Sequence, residues 1–361
     1  MKKIKVLIID DSQLIHEVLT SIISADPRLE VVGCAIDPHE ARQMIKDLNP
    51  DVLTLDVEMP RMNGLTFLKN LMRLRPMPVV MVSTLTSEGS NITLQALELG
   101  AIDFIEKPTN INESIEDFRK DIISQIITAA GVSKAKLHAV QSRLKNGENS
   151  EQATQLQKIN TAETAQQPSS RVIAIGGSTG GLEAVRNMLG QTRFTGAETI
   201  VIALHLPGGF TQSYAERLNN HLPLTVKQGE HGERLMPGHI YIAPGGRHME
   251  IKRRAAGFQI VLSDSQPVNR HRPSVDVLFD SVAKQAKNSS MGILLTGMGK
   301  DGAQGLKNMF EAGATTYAQD EESSVVWGMP GAAVKIGAVP QTNVKSLHKL
   351  ASFIPIFAKR Q

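Results

Sequence analysis

The sequence predicts an α/β protein built from two doubly wound parallel-sheet domains, and three observations lead there. Its 361 residues exceed what one core ordinarily organises, since domains run to roughly 100–200 residues. Short β-branched runs alternate with amphipathic segments towards both ends of the chain, the pattern of βα units feeding a parallel sheet. Between them, residues 129–170 hold six glutamines and no aromatic residue, too little apolar surface to offset the entropy of ordering. The expected organisation is a domain over 1–128, a flexible linker over 129–170 with helical character in its first third, and a domain over 171–361.

In the first domain the strand-like runs are Ile4–Ile9, Val31–Ile36, Val52–Leu55, Val79–Val82 and Phe104-Ile105. Between the first two, Leu14, Ile15, Val18, Leu19, Ile22 and Ile23 recur at helical spacing. Five such units make a small five-stranded domain. After Arg171 the rhythm resumes with VIAIGG at 172–177, TIVIALH at 199–205, HIYIAP at 239–244 and MGILLTGMG at 291–299, with hairpin-like material around 239–262.

Composition narrows the function classes. One cysteine, Cys34, excludes an internal disulfide or a thiolate zinc cluster and suits a reducing cytoplasm. The opening MKKIKVLIIDDS places two aspartates where a secretory signal needs roughly 7–15 apolar residues. No run is long enough to insert in a membrane. The net charge of +3 hides an asymmetry: residues 1–128 hold 13 Lys+Arg against 19 Asp+Glu, and residues 171–361 hold 21 against 14. The second half is basic, yet its charges are scattered and no helix-turn-helix pattern accompanies them, so nucleic acid is not an expected partner.

Asp10-Asp11 follow the first run, Asp56 ends the third, Ser83 closes the fourth and Lys107 follows the fifth. Side chains at the carboxyl ends of neighbouring parallel strands converge on one crevice. Three carboxylates without imidazole or thiol favour a hard cation, Mg²⁺ above others. That set suits phosphoryl transfer onto Asp56, with the metal and Lys107 stabilising the phosphoryl oxygens and Ser83 donating a hydrogen bond. Residues 1 to about 125 resemble a two-component receiver domain, a five-stranded flavodoxin-like fold. The resemblance implies Asp56 as phosphoacceptor, a metal held by Asp10, Asp11, Asp56 and the Glu58 backbone carbonyl, a switch of Ser83, Phe104 and Lys107, and a histidine kinase as donor.

IGGSTGG, at 175–181, has three readings. A dinucleotide fingerprint counted from Gly176 needs glycine where Ser178 stands, and a P-loop needs Gly-Lys where Gly181 is followed by Leu182. The segment does satisfy G-x-S-x-G with Gly176, Ser178 and Gly180, a turn that can lift a serine hydroxyl above a sheet edge. On the motif alone a nucleophile and a merely tight βα turn remain equally open. A nucleophilic serine needs a base, and among the histidines His205 ends a strand run at the same sheet edge, whereas His239, His248 and His271 occupy less informative places. The base in turn needs an orienting acid, for which Asp301, in the glycine-rich GMGKDG loop, and its rival Asp276, in a helix-like segment, are both candidates.

GGSTGG, HLPGGFT, HRPSVDVLF, LLTGMGKDGAQGL and VVWGMPGAA, behind a receiver, resemble the chemotaxis response-regulator protein-glutamate methylesterases. The resemblance implies a Rossmann-like catalytic domain and a Ser178, His205, Asp301 triad, with Thr179 and Met298 at the oxyanion region. It further implies hydrolysis of glutamate γ-methyl esters on methyl-accepting chemoreceptors, deamidation of receptor glutamines, and no cofactor for the esterase step. The receiver is expected to obstruct the triad until Asp56 is phosphorylated.

Overall fold

The computed structural model describes residues 2–57, 59, 64–83, 87–107, 111–145, 158–159 and 168–359. The chain divides into two compact units, Met1–Gln152 and Ala153–Gln361.

In the first unit β1 (Ile4–Ile9), α1 (Gln13–Ser24), β2 (Leu29–Ala35), α2 (Pro38–Leu48), β3 (Val52–Asp56), α3 (Gly64–Leu74), β4 (Val79–Ser83), α4 (Ser87–Glu98), β5 (Asp103–Glu106) and α5 (Ile111–Ala130) alternate strictly. The strand order β2-β1-β3-β4-β5, parallel throughout, is that of a doubly wound sheet. Every residue of β3 and β4 is buried, which is why these strands read as unbroken apolar runs: helices cover both faces. Helix starts follow local chemistry. Asp37 caps α2 by accepting from the His39 and Glu40 amides, and Pro38 fills a position whose N–H has no helical partner.

Here the expected linker needs correcting. A boundary at 128 falls inside α5, and α6 (Lys134–Lys145) packs against α3 with Val132 and Leu137 buried. The segment is polar because only one narrow side of α6 meets the core. Further on, Lys158 Nζ donates to the carbonyls of Asn219, Leu222 and Leu224 at 2.6, 3.1 and 2.8 Å, and the Ile159 amide donates to Pro223 O. The second unit thus begins well before 171.

That unit comprises β6 (Val172–Gly177), α7 (Gly181–Gly190), β7 (Thr199–Leu204), α8 (Gly208–His221), β8 (Thr225–Gln228), β9 (His239–Ile242), β10 (His248–Arg254), β11 (Gly257–Ser263), α9 (Val275–Gln285), β12 (Ser290–Leu294), α10 (Ala303–Glu311), β13 (Thr315–Gln319), α11 (Met329–Lys335), β14 (Val344–Lys345) and α12 (Leu347–Lys359). Seven strands form one parallel sheet in the order β14-β13-β12-β6-β7-β9-β8. β9 belongs to it, so the hairpin is confined to β10 and β11, an antiparallel pair outside the sheet. The order reverses between β6 and β12, the switch point at whose carboxyl edge open α/β sheets place their chemistry. Phe279, Val275 and Leu278 of α9 and Leu306 of α10 are fully buried and fill the core behind that edge.

Truncating Leu137 to alanine should destabilise the first unit by about 2–5 kcal/mol, the range for a buried leucine, measured as a shift in urea midpoint. A segment outside the folded unit would give no shift.

Candidate active site

Strand register brings Ser178 and His205 together. Gly177 of β6 pairs with Leu204 of β7, so the next residues, Ser178 and His205, leave neighbouring strands side by side. Ser178 lies in a strand–turn–helix corner whose Gly180 has φ +74°, a conformation that favours glycine. The Ser178 amide donates to Thr296 O at 3.0 Å, tying the corner to the chain leaving β12. A Cβ on Gly297 would stand 2.9 Å from that of Ser178, so the backbone carrying Met298 runs directly alongside Ser178. On the other flank, a Cβ on Gly245 would meet backbone atoms of Leu206, Pro207 and Gly208 at 2.3–2.5 Å. Only glycine lets that loop close against the segment holding His205.

His205 Nδ1 lies 3.0 Å from Ser178 Oγ, and Nε2 lies 2.8 Å from Asp301 Oδ2. The side chains of His205 and Asp301 are 8% and 2% exposed, so the relay is shielded from bulk water. Asp301 cannot donate when ionised, which places the proton on Nε2 and leaves Nδ1 to accept from the serine hydroxyl.

Asp301, in the loop between β12 and α10, turns its carboxylate to the first turn of α9. Its carboxylate accepts from the Val275 amide at 2.7 Å, from Ser274 Oγ at 2.7 Å, from Asn269 Nδ2 at 2.7 Å, and more distantly from the Asp276 amide at 3.4 Å. Burial works against the charge; the His205 hydrogen bond and charge, with Asn269 and Ser274, overcome it and hold Asp301 well below the usual carboxylate range. Its rival Asp276 lies alongside, accepting from the Gly305 amide at 2.7 Å, and burial raises its pKa.

Thr179 is buried and Met298 half-buried; the Thr179 carbonyl accepts from Thr296 Oγ1 at 3.0 Å. Both lie on the segments flanking Ser178. Of the other histidines, His239 Nδ1 donates to the Pro237 carbonyl at 2.9 Å, and His248 donates through Nε2 to the Gln266 carbonyl and accepts at Nδ1 from the Ser274 amide. His271, which its sequence position did not distinguish, stacks on His205 with ring centroids 3.5 Å apart and planes 12° from parallel. Burial first, then the charge of His205, pushes its pKa down to about 4.

In the first unit Asp10, Asp11 and Asp56 bring ligand oxygens within 4.8 Å of one another. Lys107 Nζ lies 2.8 Å from Asp10 Oδ2 and 2.8 Å from Asp56 Oδ2. Burial disfavours the ammonium, and the two carboxylates outweigh it, so the lysine pKa is raised. Three carboxylates against one ammonium, with oxygen donors only, fit a hard divalent cation. Ser83, 2% exposed, closes β4, and its carbonyl accepts from the Lys107 amide at 2.8 Å. Phe104 is buried on β5. Glu58 lies outside the described residues.

Fold and relay together have the form of an α/β hydrolytic unit that follows, along the chain, a doubly wound domain with an acidic strand-end site. The family model "CheB methylesterase" matches residues 173–354, and "Response regulator receiver domain" matches residues 6–119. The chain is 51% identical over 357 residues to a protein-glutamate methylesterase/protein-glutamine glutaminase of Hahella chejuensis, covering 98% of this chain and 96% of that one. It is 52% identical to the like-named protein of Nitrosomonas europaea, covering 94% and 93%. The solved catalytic domain of a Thermotoga maritima CheB methylesterase is 36% identical and covers 53% of this chain and 97% of its own, with a TM-score of 0.49. This chain belongs to the CheB methylesterase family.

Between its folded pKa of about 4 and the ordinary 6.5, His271 binds a proton only in the unfolded chain. Its contribution is therefore intact above about pH 6.5 and is lost as pH falls towards 4, by up to about 3 kcal/mol. The urea-derived unfolding free energy of His271→Phe should fall less than that of wild type between about pH 7 and about pH 4.5.

Proposed function

We propose that this protein hydrolyses γ-methyl esters of glutamate on methyl-accepting chemoreceptors, releasing methanol, and deamidates receptor glutamines by the same route, under control of phosphorylation at Asp56. The carrying observation is the continuous relay Ser178–His205–Asp301, with contacts of 3.0 and 2.8 Å, in a chain whose relatives bear both activities in their names.

Ser178 Oγ attacks the ester carbonyl while His205 Nδ1 takes its proton, and Asp301 steadies the imidazolium through Nε2–H. Backbone amides at Thr179 and Met298, beside the positive end of α7, receive the developing oxyanion. The proton on Nδ1 passes to the departing methoxide, which leaves as methanol. Water then adds to the acyl carbon, His205 takes its proton, and collapse returns that proton to Ser178 Oγ and frees the glutamate carboxylate. For glutamine the leaving group is ammonia. No cofactor enters these steps.

In the receiver, a histidine kinase supplies the phosphoryl group and Asp56 accepts it. Mg²⁺ held by Asp10, Asp11, Asp56 and the Glu58 carbonyl would neutralise charge on the transferred group. Lys107 and the Ser83 hydroxyl contact the phosphoryl oxygens, and Phe104 follows the change at Ser83. Phosphorylation favours the arrangement in which substrate reaches Ser178. No described helix is long and apolar enough to cross a membrane, and the reading places the enzyme in the cytoplasm, meeting its receptors there.

Methanol release from methylated receptors tests the chemistry. Ser178→Ala should lose on the order of 10⁴–10⁶ in turnover, and retained turnover would overturn the mechanism. A small-molecule phosphodonor should activate wild type and leave Asp56→Asn unchanged; equal activation of both would remove Asp56 as the switch.

A further inference from the structure

The segment between β11 and α9 contains a tight turn that touches both Asp301 and His205. Val268 and His271 pair antiparallel, each amide donating to the other's carbonyl at 3.1 and 2.9 Å. The two residues between them, Asn269 and Arg270, both have positive φ, 53° and 69°. This is a primed two-residue turn, for which asparagine is well suited and arginine is not. A strained backbone at an active-site rim invites the question of what it positions.

Asn269 answers it. Its Nδ2 lies 2.7 Å from Asp301 Oδ1 and 2.7 Å from Asp276 Oδ2. Both partners are carboxylate oxygens, so each of the two amide hydrogens serves one acid. Without that amide the two carboxylates would face each other in a partly buried setting where like charges repel strongly. Asp276 cannot turn away freely, because its other oxygen holds the Gly305 amide at the start of α10.

We propose that Asn269 is a positioning residue for ester hydrolysis: as a neutral bridge between Asp301 and Asp276, it keeps the triad acid ionised and in line with His205. The same turn sets His271 against the other face of the His205 ring. The histidine is thereby aligned from one short loop, edge-on through its acid and face-on through its neighbour. The inference rests on the esterase reading and extends it to a residue that touches no reacting atom.

The test measures methanol release from methylated receptors by the full-length protein. Asn269→Gly keeps the turn conformation and removes the amide. Loss of one hydrogen bond to a charged group should lower kcat roughly 10- to 100-fold with KM unchanged. Adding Asp276→Asn to Asn269→Gly removes the repulsion and supplies a new amide beside Asp301, so kcat should recover most of the loss. Asn269→Asp adds a carboxylate beside Asp301, the acid bonded to His205, in a cluster whose other charged and titratable groups are Asp276, His271 and Arg270. That added charge favours the imidazolium, so the acidic limb of kcat/KM should move to higher pH. Activity of Asn269→Gly equal to wild type would overturn the proposal, as would a defect that Asp276→Asn fails to relieve, which would assign Asn269 to the turn alone. Inactivity of wild type itself would instead count against the esterase reading.

Discussion

The catalytic unit is organised around one buried negative charge. Asp301 has almost no access to water, and an ionised carboxylate in such a place survives only if protein donors replace the lost hydration. Those donors come from three sources: the imidazole of His205, the first turn of α9 with its Ser274 cap, and the Asn269 side chain. Each also fixes something else. The α9 contact docks that helix against the loop after β12, the Asn269 contact anchors a strained turn, and the His205 contact selects the tautomer that leaves Nδ1 facing Ser178.

Around that charge, parallel-sheet geometry does the long-range positioning. Ser178, His205 and Asp301 follow β6, β7 and β12, three adjacent strands, and the Gly177–Leu204 register makes the first two immediate neighbours. The receiver uses the same device for different chemistry. Asp10 and Lys107 follow β1 and β5, Asp56 ends β3, and Ser83 ends β4, which lies between β3 and β5. One edge gathers hard oxygen ligands and an ammonium; the other gathers a hydroxyl, an imidazole and a carboxylate.

What the chain discloses before folding follows from this geometry. Strand ends are legible, because buried parallel strands read as continuous apolar runs and the polar residue that terminates each run is conspicuous. The five receiver residues and the triad were therefore visible as Asp10, Asp11, Asp56, Ser83, Lys107, Ser178, His205 and Asp301, although their chemical roles are carried by proposal. Elements with little apolar surface were not. α6 buries Leu137 and otherwise shows solvent a polar face, so it resembled linker; β8 and β14 are short, and β13 is written with threonine and glutamine. Asn269 and His271 escaped for another reason. Their significance depends on a turn returning to the mouth of α9, and the local signal, an asparagine before an arginine in a polar stretch, points to a turn without naming what it touches. Ile36 and Leu14 erred in the opposite direction, 57% and 55% exposed despite lying in apolar runs.

The separation of the β10–β11 hairpin from the parallel sheet has a practical side. The distances among the three triad residues are set by strands that do not include the hairpin, and its tip at Ala255-Ala256 is exposed. Exposed hairpin tips accept inserted sequence with little effect on the elements beneath them. An epitope, a fluorophore attachment site or a small reporter domain could be grafted there to follow the enzyme in cells, leaving the catalytic edge as nature built it.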